Sequence, residues 1–507
     1  MNTTVFLAAF AVYLTLLIWL SWAVSRKQKS GEDFLLAGRS LPISLTIGTT
    51  VATMVGTGSS MGAVGFGYEN GWGGTLYGLG GACGILLLAW WFAPIRKLCF
   101  MTMSEELCYY VGANRAVKNI VAVLIFLASI GWLGAHILGG GLYLAWIADI
   151  DVQLAKVMIA FGFAIFVIIG GYNGVVWTDT IQAVILFAGF ILMAVLAVNQ
   201  AGGWDALMAA QPEDNISFLA IDTLGGLHAF SLAAVVGVGV LATPSFRQRI
   251  YSASSVSGVR RSFFASGALY LFFSCIPALI GMAAFALNPG LENRNFSFPY
   301  LAVEVLPLYA GVIVLIAGLS ATMSSASSDA IAGVAILLRD IYSIVFRRMP
   351  PRDSVILYSR VGLVFVIGIA LLFSLISNDI IGYITTMIST VMSGMCVCGL
   401  LGRFWPRYNW QGAIASLAAA SVASLTITGM ADALAYWGNP VVPSLAAAVV
   451  AGVAVSLATP VEQVTRAQAQ AILEKERDQM EGVDVKDVFK SRSDVADASG
   501  IADSENV

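Results

Sequence analysis

A run of serines inside one long apolar segment is the strongest indication of ion chemistry in this sequence. The segment covers residues 308–338 and contains MSSASSDA at 323–330. Positions spaced i, i+3, i+4 and i+7 share one face of a helix, and here they are Ala321, Ser324, Ser325 and Ser328, with Ser327 beside them. Hydroxyl and carbonyl oxygens suit a hard cation such as Na⁺. Membrane serines can instead bond carbonyls of their own helix, but four serines within five positions exceed that need.

Asp179 is a candidate partner for these serines. It lies in WTDTIQ at 177–182, at the start of another apolar segment. A carboxylate in a membrane segment is costly and is usually functional or paired, and neither of the two segments contains a base that could pair with it. Because the segments are expected to run in opposite directions, Asp179, Ser327 and Ser328 should lie at similar depth and form a second cation site. The alternative is that Asp179 only caps the start of its helix.

The composition places these residues in a membrane. Of 507 residues, 58% are hydrophobic and 11% are charged, and the mean hydropathy is +0.83. Soluble domains carry about 25% charged residues. The sequence therefore excludes a soluble enzyme, a nucleic-acid-binding protein and a disordered chain, and predicts an all-α polytopic membrane protein.

Thirteen apolar segments predict membrane spans, since each span needs about 20 residues to cross about 30 Å of hydrocarbon. They are residues 4–24, 42–68, 73–95, 119–147, 155–171, 177–200, 227–247, 262–287, 308–338, 356–376, 380–401, 410–430 and 441–460. The first span has no basic residues before its apolar run, and its charged residues follow that run. This pattern predicts a membrane helix rather than a cleaved signal peptide.

The loops between these spans differ strongly in charge. One set contains 18 Lys and Arg residues and the opposite set contains two, Lys156 and Arg294. Basic loops mark the cytoplasmic side. The sequence therefore predicts an outside N-terminus and a cytoplasmic acidic tail at 461–507, in the plasma (inner) membrane.

Two of the spans contain residues that weaken a helix. Span 42–68 carries five glycines between residues 56 and 67 among hydroxyl residues, and span 227–247 has Thr243 and Pro244 near its end. Such stretches can be close-packing surfaces or discontinuous helices whose free carbonyls bind an ion. Because each leads a block of five spans, the second block would begin in the opposite orientation, which favours an inverted repeat and transport.

Five motifs, in the order in which that family carries them, resemble the sodium:solute symporter family. They are FLLAGRSLP at 34–42, WTDTIQ at 177–182, QRIYSAS at 248–254, MSSASSDA at 323–330 and LLRDIY at 337–342. The resemblance implies a LeuT-type 5+5 inverted repeat at 42–402, with halves 42–200 and 226–402. Residues 1–41 would be an extra helix and loop, and 403–460 two accessory helices.

The resemblance also implies a main sodium site. Two backbone carbonyls of the first core helix would contribute, together with one carbonyl and two hydroxyls of the eighth; in this sequence these residues are Ala52, Val55, Ala321, Ser324 and Ser325. The common family motif has an aspartate directly after MSSA. Here that position is Ser327 and the aspartate is Asp329, which resembles members with a second sodium site and leaves the role of Asp329 open.

The solute pocket is expected at mid-membrane, between the broken part of span 42–68 and the spans at 73–95, 119–147 and 227–247. The candidate residues are Met54, Gly56, Thr57, Ser59, Tyr77, Trp132 and His136. His136 could equally donate to a carbonyl of a neighbouring helix. No Lys or Arg is placed to bind a carboxylate, and no deep Asp or Glu is free to pair an organic cation unless Asp329 serves. The sequence therefore favours a neutral or zwitterionic small solute.

These observations predict a Na⁺-coupled symporter that imports a small polar organic solute by alternating access. It is not an enzyme. Na⁺ would be the coupling ion, with no organic cofactor, and the partners would be the solute and membrane lipid, with no nucleic acid and no obligate protein. The alternative is a sodium-independent uniporter, channel or membrane sensor on the same fold.

Overall fold

The computed structural model describes residues 3–26, 28, 30–351, 354–376 and 380–481. The described residues form helices, and the extended pairing among them is a single bridge between Leu41 and Ala253. The all-α fold class is therefore confirmed. Residues 482–507 of the predicted acidic tail lie outside the described residues.

Among the described residues, ten α-helices lie before residue 226. Their bounds are α1 Thr3–Ser25, α2 Gly31–Leu36, α3 Ile43–Met54, α4 Ala63–Asn70, α5 Thr75–Leu87, α6 Met103–Tyr109, α7 Arg115–Ala148, α8 Val152–Gln200, α9 Trp204–Ala209 and α10 Ile221–Leu224.

The described residues from 226 onward contain fourteen more. Their bounds are α11 Gly226–Ala242, α12 Pro244–Ser252, α13 Val256–Phe273, α14 Cys275–Leu287, α15 Ser297–Tyr300, α16 Leu308–Ile336, α17 Tyr342–Phe346, α18 Val355–Ser374, α19 Ile380–Met387, α20 Ser393–Phe404, α21 Trp410–Gly429, α22 Ala431–Trp437, α23 Val441–Ala458 and α24 Arg466–Glu481. Wider π-helical turns join several of them, at Gly58–Gly62, Leu88–Phe92, Leu301–Val305, Leu337–Ile341 and Ile388–Met392.

The number of spans is not confirmed as thirteen. Among the described residues, ten helices are long and apolar enough to cross a membrane, or eleven if the bent pair α11–α12 is one span. One reason for the lower number is α8, which contains both predicted spans 155–171 and 177–200 in 49 helical residues. A straight helix of that length would measure about 74 Å, more than twice the hydrocarbon thickness.

A glycine interrupts α8 between those two predicted spans. Gly171 has φ 54° and ψ −161°, and a Cβ built on it would lie 2.7 Å from the Phe34 ring. Only glycine adopts this conformation readily, so the backbone turns here without ending the helical pattern. The helix on each side of Gly171 keeps its own apolar segment.

The two helices predicted to be discontinuous are both broken. Helix α3 ends at Met54, and Val55 has ψ 58° before the chain resumes in the Gly58–Gly62 turn and α4. Helices α11 and α12 meet at Thr243, whose ψ of 125° is extended, and they are bent by 43°. Pro244 is the first residue of α12, a position at which the missing N–H has no helical partner to lose.

Helix α16 lies at the centre of the molecule. It runs unbroken past α3, α7 and α8, and its residues from Ala317 to Ile336 are all buried. The first helix contacts it through Tyr13, whose hydroxyl lies 2.7 Å from Ser320 Oγ. A membrane helix that is buried on every side is enclosed by protein rather than lipid, and so it can carry polar groups at depth.

Three of the basic residues that the sequence assigned to loops are buried in the protein. Arg247 and Arg249 are buried in α12 rather than exposed in a loop, and Lys156 is buried with its ammonium group 2.8 Å from the Ser374 carbonyl. The basic excess in one set of loops remains without them, so the orientation stays a prediction.

Candidate cation and solute sites

The serine face of α16 meets the break in α3. Ser324 Oγ donates to the Ala52 carbonyl at 3.0 Å, and Ser325 Oγ donates to the Thr53 carbonyl at 3.1 Å and lies 3.4 Å from that of Ala52. All four residues are buried, with a small exposed fraction only for Thr53. The structure therefore gathers hydroxyl and carbonyl oxygens of two helices in one place, with Ala321 one turn before Ser324.

The break in α3 is what brings these groups so close together. Gly56 lies in the break, and a Cβ built on it would lie 2.6 Å from Ser325 Oγ and 3.0 Å from the His136 ring. Ser59 and Ser60 satisfy the freed carbonyls of Met54 and Gly56, each at 2.6 Å. A side chain at Gly56 would push α3 away from α16 and separate the oxygens.

Asp179 lies beside the serines, as the sequence predicted. Its Oδ2 accepts hydrogen bonds from Thr49 Oγ1 at 2.7 Å and Ser328 Oγ at 2.9 Å, and its Oδ1 from Ser327 Oγ at 3.3 Å. All four residues are fully buried. Asp179 is thus bound across the helix interface and does more than cap its own helix.

Asp179 has a basic partner that lies outside the two segments considered from the sequence. Arg249 of α12, fully buried, places Nη2 3.6 Å from Asp179 Oδ2. Thr49 and Ser328 link the two groups, because Arg249 Nη2 lies 2.8 Å from each hydroxyl. The partner was sought only in the spans that hold Asp179 and the serines, whereas it comes from a third helix. The QRIYSAS motif contains it, but its spacing does not show where the guanidinium points.

A small cavity opens next to the α3 break. Six of the seven predicted solute-site residues line it, namely Met54, Gly56, Ser59, Tyr77, Trp132 and His136. Thr57 is the exception: it does not line the cavity, and its hydroxyl lies 3.0 Å from His136 Nδ1.

Several lining residues were not predicted. They are Thr53, Gly58, Val236, Val240, Thr243, Ser245, Phe246, Tyr270 and Asp329. Most come from α11, α12 and α13, so the cavity lies between both broken helices. The Thr243–Pro244 break was the available signal for this side; Tyr270 had none, because aromatic residues are common in membrane helices.

Within the described part of the chain, His136 bonds side chains rather than a helix carbonyl. Besides Thr57, it contacts Asp329, with His136 Nε2 3.2 Å from Asp329 Oδ2. Both side chains are buried, at 4% and 3% exposed. The aspartate whose role the motif left open therefore belongs to the cavity wall.

Comparison with known proteins identifies the family. The family model described as "Sodium:solute symporter family" matches residues 34–419, which is most of the chain. The chain belongs to the sodium:solute symporter family. Similar relatives of this family include the sodium/glucose cotransporter of Vibrio parahaemolyticus, 26% identical over 81% of this chain and 82% of its own. Another is the sodium/pantothenate symporter of Escherichia coli, 23% identical over 85% and 92%.

Solved structures agree on the fold of this symporter. A substrate-bound, outward-open Na⁺-coupled sialic acid symporter has 19% identity and a TM-score of 0.75, over 91% of this chain and 99% of the other. The predicted LeuT-type architecture is therefore confirmed. Membership of the family also confirms that the chain is a multi-pass Na⁺-coupled symporter for a small-molecule solute rather than an enzyme.

Proposed function

We propose that this symporter imports a small polar solute bound in the cavity between the two broken helices, coupled to Na⁺ bound at the α3–α16 interface. The observation that carries the proposal is the contact of Ser324 and Ser325 with carbonyls at the end of α3. An ion bound there bridges α16 to a broken helix whose next residues line the solute cavity. Ion binding and solute binding would then act on the same backbone segment.

The main sodium site would consist of Ala52, Val55, Ala321, Ser324 and Ser325. A carbonyl can accept two hydrogen bonds, so Ala52 could contact both the ion and a hydroxyl. The two serine hydroxyls, which now donate to carbonyls, can present lone pairs to a cation while keeping those bonds. A neutral oxygen set suits a monovalent ion, because no excess negative charge has to be buried with it.

A second Na⁺ would bind on the Oδ1 side of Asp179. Arg249 approaches Oδ2, as do Thr49 and Ser328. Oδ1 has only Ser327, whose hydroxyl also donates to the Ser324 carbonyl at 2.8 Å. Ser327 therefore connects this proposed site to the main one, and Ser328 would hold the carboxylate in place. The competing arrangement is an Asp179–Arg249 ion pair with no Na⁺.

The cavity has the polarity expected of a solute site. Pockets for small ligands combine apolar walls with a few placed polar groups. Two buried polar atoms on its wall, Trp132 Nε1 and Ser245 Oγ, have no hydrogen-bond partner among the described residues. A polar solute would supply those partners, which removes the cost of leaving buried groups unsatisfied.

The charge of the loops supports the orientation within this proposal. With the basic loops on the cytoplasmic side of the plasma membrane, the N-terminus is outside and α24 is inside. Solute entry from outside then follows the inward direction of the Na⁺ gradient. Membrane lipid would cover the apolar faces of the outer helices.

Uptake by the purified protein in proteoliposomes tests the coupling. A panel of labelled solutes is offered with an inward Na⁺ gradient and, separately, with an inward proton gradient in Na⁺-free buffer. We expect accumulation of at least one solute in the first condition and none in the second. Accumulation driven by protons alone would overturn the sodium sites.

A further inference from the structure

The cavity contains one carboxylate that neither proposed sodium site uses. Asp329 of α16 lines the cavity and follows directly after Ser328, which faces the other way, toward Asp179. Among the described residues, Asp329 has one hydrogen-bond partner, His136. Its second oxygen, Oδ1, has no partner within the described part of the chain. A buried charge with one partner is costly, so the solute is the natural source of further contacts.

A neutral imidazole can satisfy both hydrogen bonds of His136. The Thr57 hydroxyl can donate to Nδ1 while Nε2–H donates to Asp329, and in this tautomer both ring nitrogens are satisfied. Thr57, His136 and Asp329 then form a chain of hydrogen bonds that ends on the Asp329 carboxyl group. In this tautomer the histidine holds the orientation of Asp329 and adds no positive charge to the cavity wall.

No other charged side chain lines the cavity among the described residues. Arg249 is the cationic group whose contacts come nearest to the cavity, because its guanidinium donates hydrogen bonds to the hydroxyls of Thr53 and Ser328. It is fully buried, its contacts run toward Asp179 and Thr49, and it is absent from the cavity wall. The wall therefore carries one negative charge, and Arg249 is neutralised elsewhere.

The remaining wall is rich in aromatic rings. Tyr77, Trp132, Phe246 and Tyr270 all line the cavity, and the Trp132 ring stacks on that of His136 with centroids 6.2 Å apart. The faces of aromatic rings attract cations, most strongly when water is excluded. A carboxylate surrounded by aromatic rings is a favourable environment for an ammonium group and an unfavourable one for an anion.

We propose that Asp329, positioned by His136, makes this cavity selective for small solutes that carry a cationic nitrogen. This inference rests on the proposed function for the location of the solute and adds its chemical class. Both amines and zwitterions share the required group. A zwitterion would place its ammonium at Asp329 and its other end toward the unpartnered Trp132 and Ser245 atoms.

Thermal stabilisation of the purified full-length protein by defined solutes tests this inference. The probes are ethanolamine, choline and L-proline as cationic nitrogens, and glucose and acetate as a neutral and an anionic control. Choline is also paired with 3,3-dimethyl-1-butanol, which has the same shape without the charge. Each probe is titrated in Na⁺ and again in K⁺, so that the solute response is measured whether or not Na⁺ binds.

We expect at least one cationic-nitrogen probe to stabilise the protein, and neither glucose nor acetate to do so. In Asp329→Asn, which keeps the shape and the bond to His136, the concentration of that probe giving half-maximal stabilisation should rise about tenfold or more. The response to 3,3-dimethyl-1-butanol should not weaken. Asp222→Asn, which removes an exposed carboxylate remote from the cavity wall, is the matched control and should behave like the wild type.

The inference is overturned if the protein responds only to glucose or acetate, if no probe stabilises it, or if Asp329→Asn leaves the response to the cationic probe unchanged. Failure of the proposed sodium coupling has a different signature. In that case Na⁺ itself would not stabilise the wild-type protein relative to K⁺, whatever the solute responses show about Asp329.

Discussion

The two serines that contact the end of α3 give the most direct residue-scale prediction. Replacing Ser324 or Ser325 by alanine removes one of about five oxygens from a desolvated cation. We expect each variant to raise the Na⁺ concentration for half-maximal uptake about tenfold, with a much smaller change in solute affinity at saturating Na⁺. Uptake at varied Na⁺ measures both quantities.

Thr322→Val is the matched control for this pair. Its hydroxyl bonds the Leu319 carbonyl of its own helix and belongs to neither proposed sodium site. Na⁺ dependence should therefore be unchanged in it. If Ser324→Ala and Ser325→Ala resemble this control, the main sodium site lies elsewhere.

The buried pair of Asp179 and Arg249 permits a second prediction at this scale. Asp179→Asn leaves a fully buried guanidinium without its counter-charge, and breaking such a pair costs about 3–5 kcal/mol. The double variant Asp179→Asn/Arg249→Gln removes both charges, so it should regain much of that stability. The melting temperatures of the two variants measure the difference.

Ser327→Ala separates the ion from the ion pair. Its hydroxyl contacts Asp179 Oδ1, on the side away from Arg249, so this variant should fold normally. With a second Na⁺ bound there, its uptake should depend on Na⁺ less steeply than that of the wild type. Equal steepness in both proteins would leave Asp179 with a structural role.

At the scale of elements, helix α24 is held against the helices that precede it in the chain. Ala469 and Leu473 of α24 are buried. Arg477 Nη2 lies 2.9 Å from Glu105 Oε2 of α6. Glu476 Oε2 lies 3.2 Å from Lys118 Nζ of α7. Burial raises the pKa of Glu105, but the charges of Arg477 and Lys118 outweigh it, so the pKa lies below its ordinary value. The last described helix is thus docked by charge as well as by apolar packing.

Removing Arg477 should loosen α24. Because the pKa of Glu105 is depressed in the folded protein, this contact stabilises docking above the ordinary pKa of a glutamate and is lost as the pH falls through the depressed value. In Arg477→Ala the pKa of Glu105 should rise, since burial then acts with less opposition. We expect amide hydrogen exchange in α24 to be about tenfold faster or more at neutral pH.

Lys475→Ala is the control on the same helix, since Lys475 is exposed. Its exchange rates and their pH dependence should match those of the wild type. Identical exchange in Arg477→Ala and the wild type would show that apolar packing alone docks α24.

For the whole molecule, the two proposed ions determine how much work the gradient can do. Each Na⁺ that crosses 100 mV contributes about 2.3 kcal/mol. We expect reversal-potential measurements in proteoliposomes to give two Na⁺ per solute in the wild type and one in Ser327→Ala. One Na⁺ per solute in the wild type would contradict the second site.

Local sequence patterns determined the class of the molecule, the broken helices and the residues on the serine face. Apolar length and charge depletion act on each segment separately, and the spacing of Ser324, Ser325 and Ser328 is a property of one helix. Glycines and Pro244 likewise mark weak points within single segments. None of these inferences depends on which helices are neighbours. The arrangement of the helices came from the family resemblance.

Only the tertiary structure decided how charges pair across the helices. Arg249 meets Asp179 although they are 70 positions apart, and His136 meets Asp329 across 193 positions. Hydropathy does not specify the rotation of a helix about its axis or the direction of a long side chain. The number of spans also depended on the tertiary structure, because Gly171 turns the chain without ending helix α8. Pairing across a buried interface depends on geometry that no single segment contains, which is why the partner of Asp179 was missed and the role of Asp329 stayed open until both were seen in place.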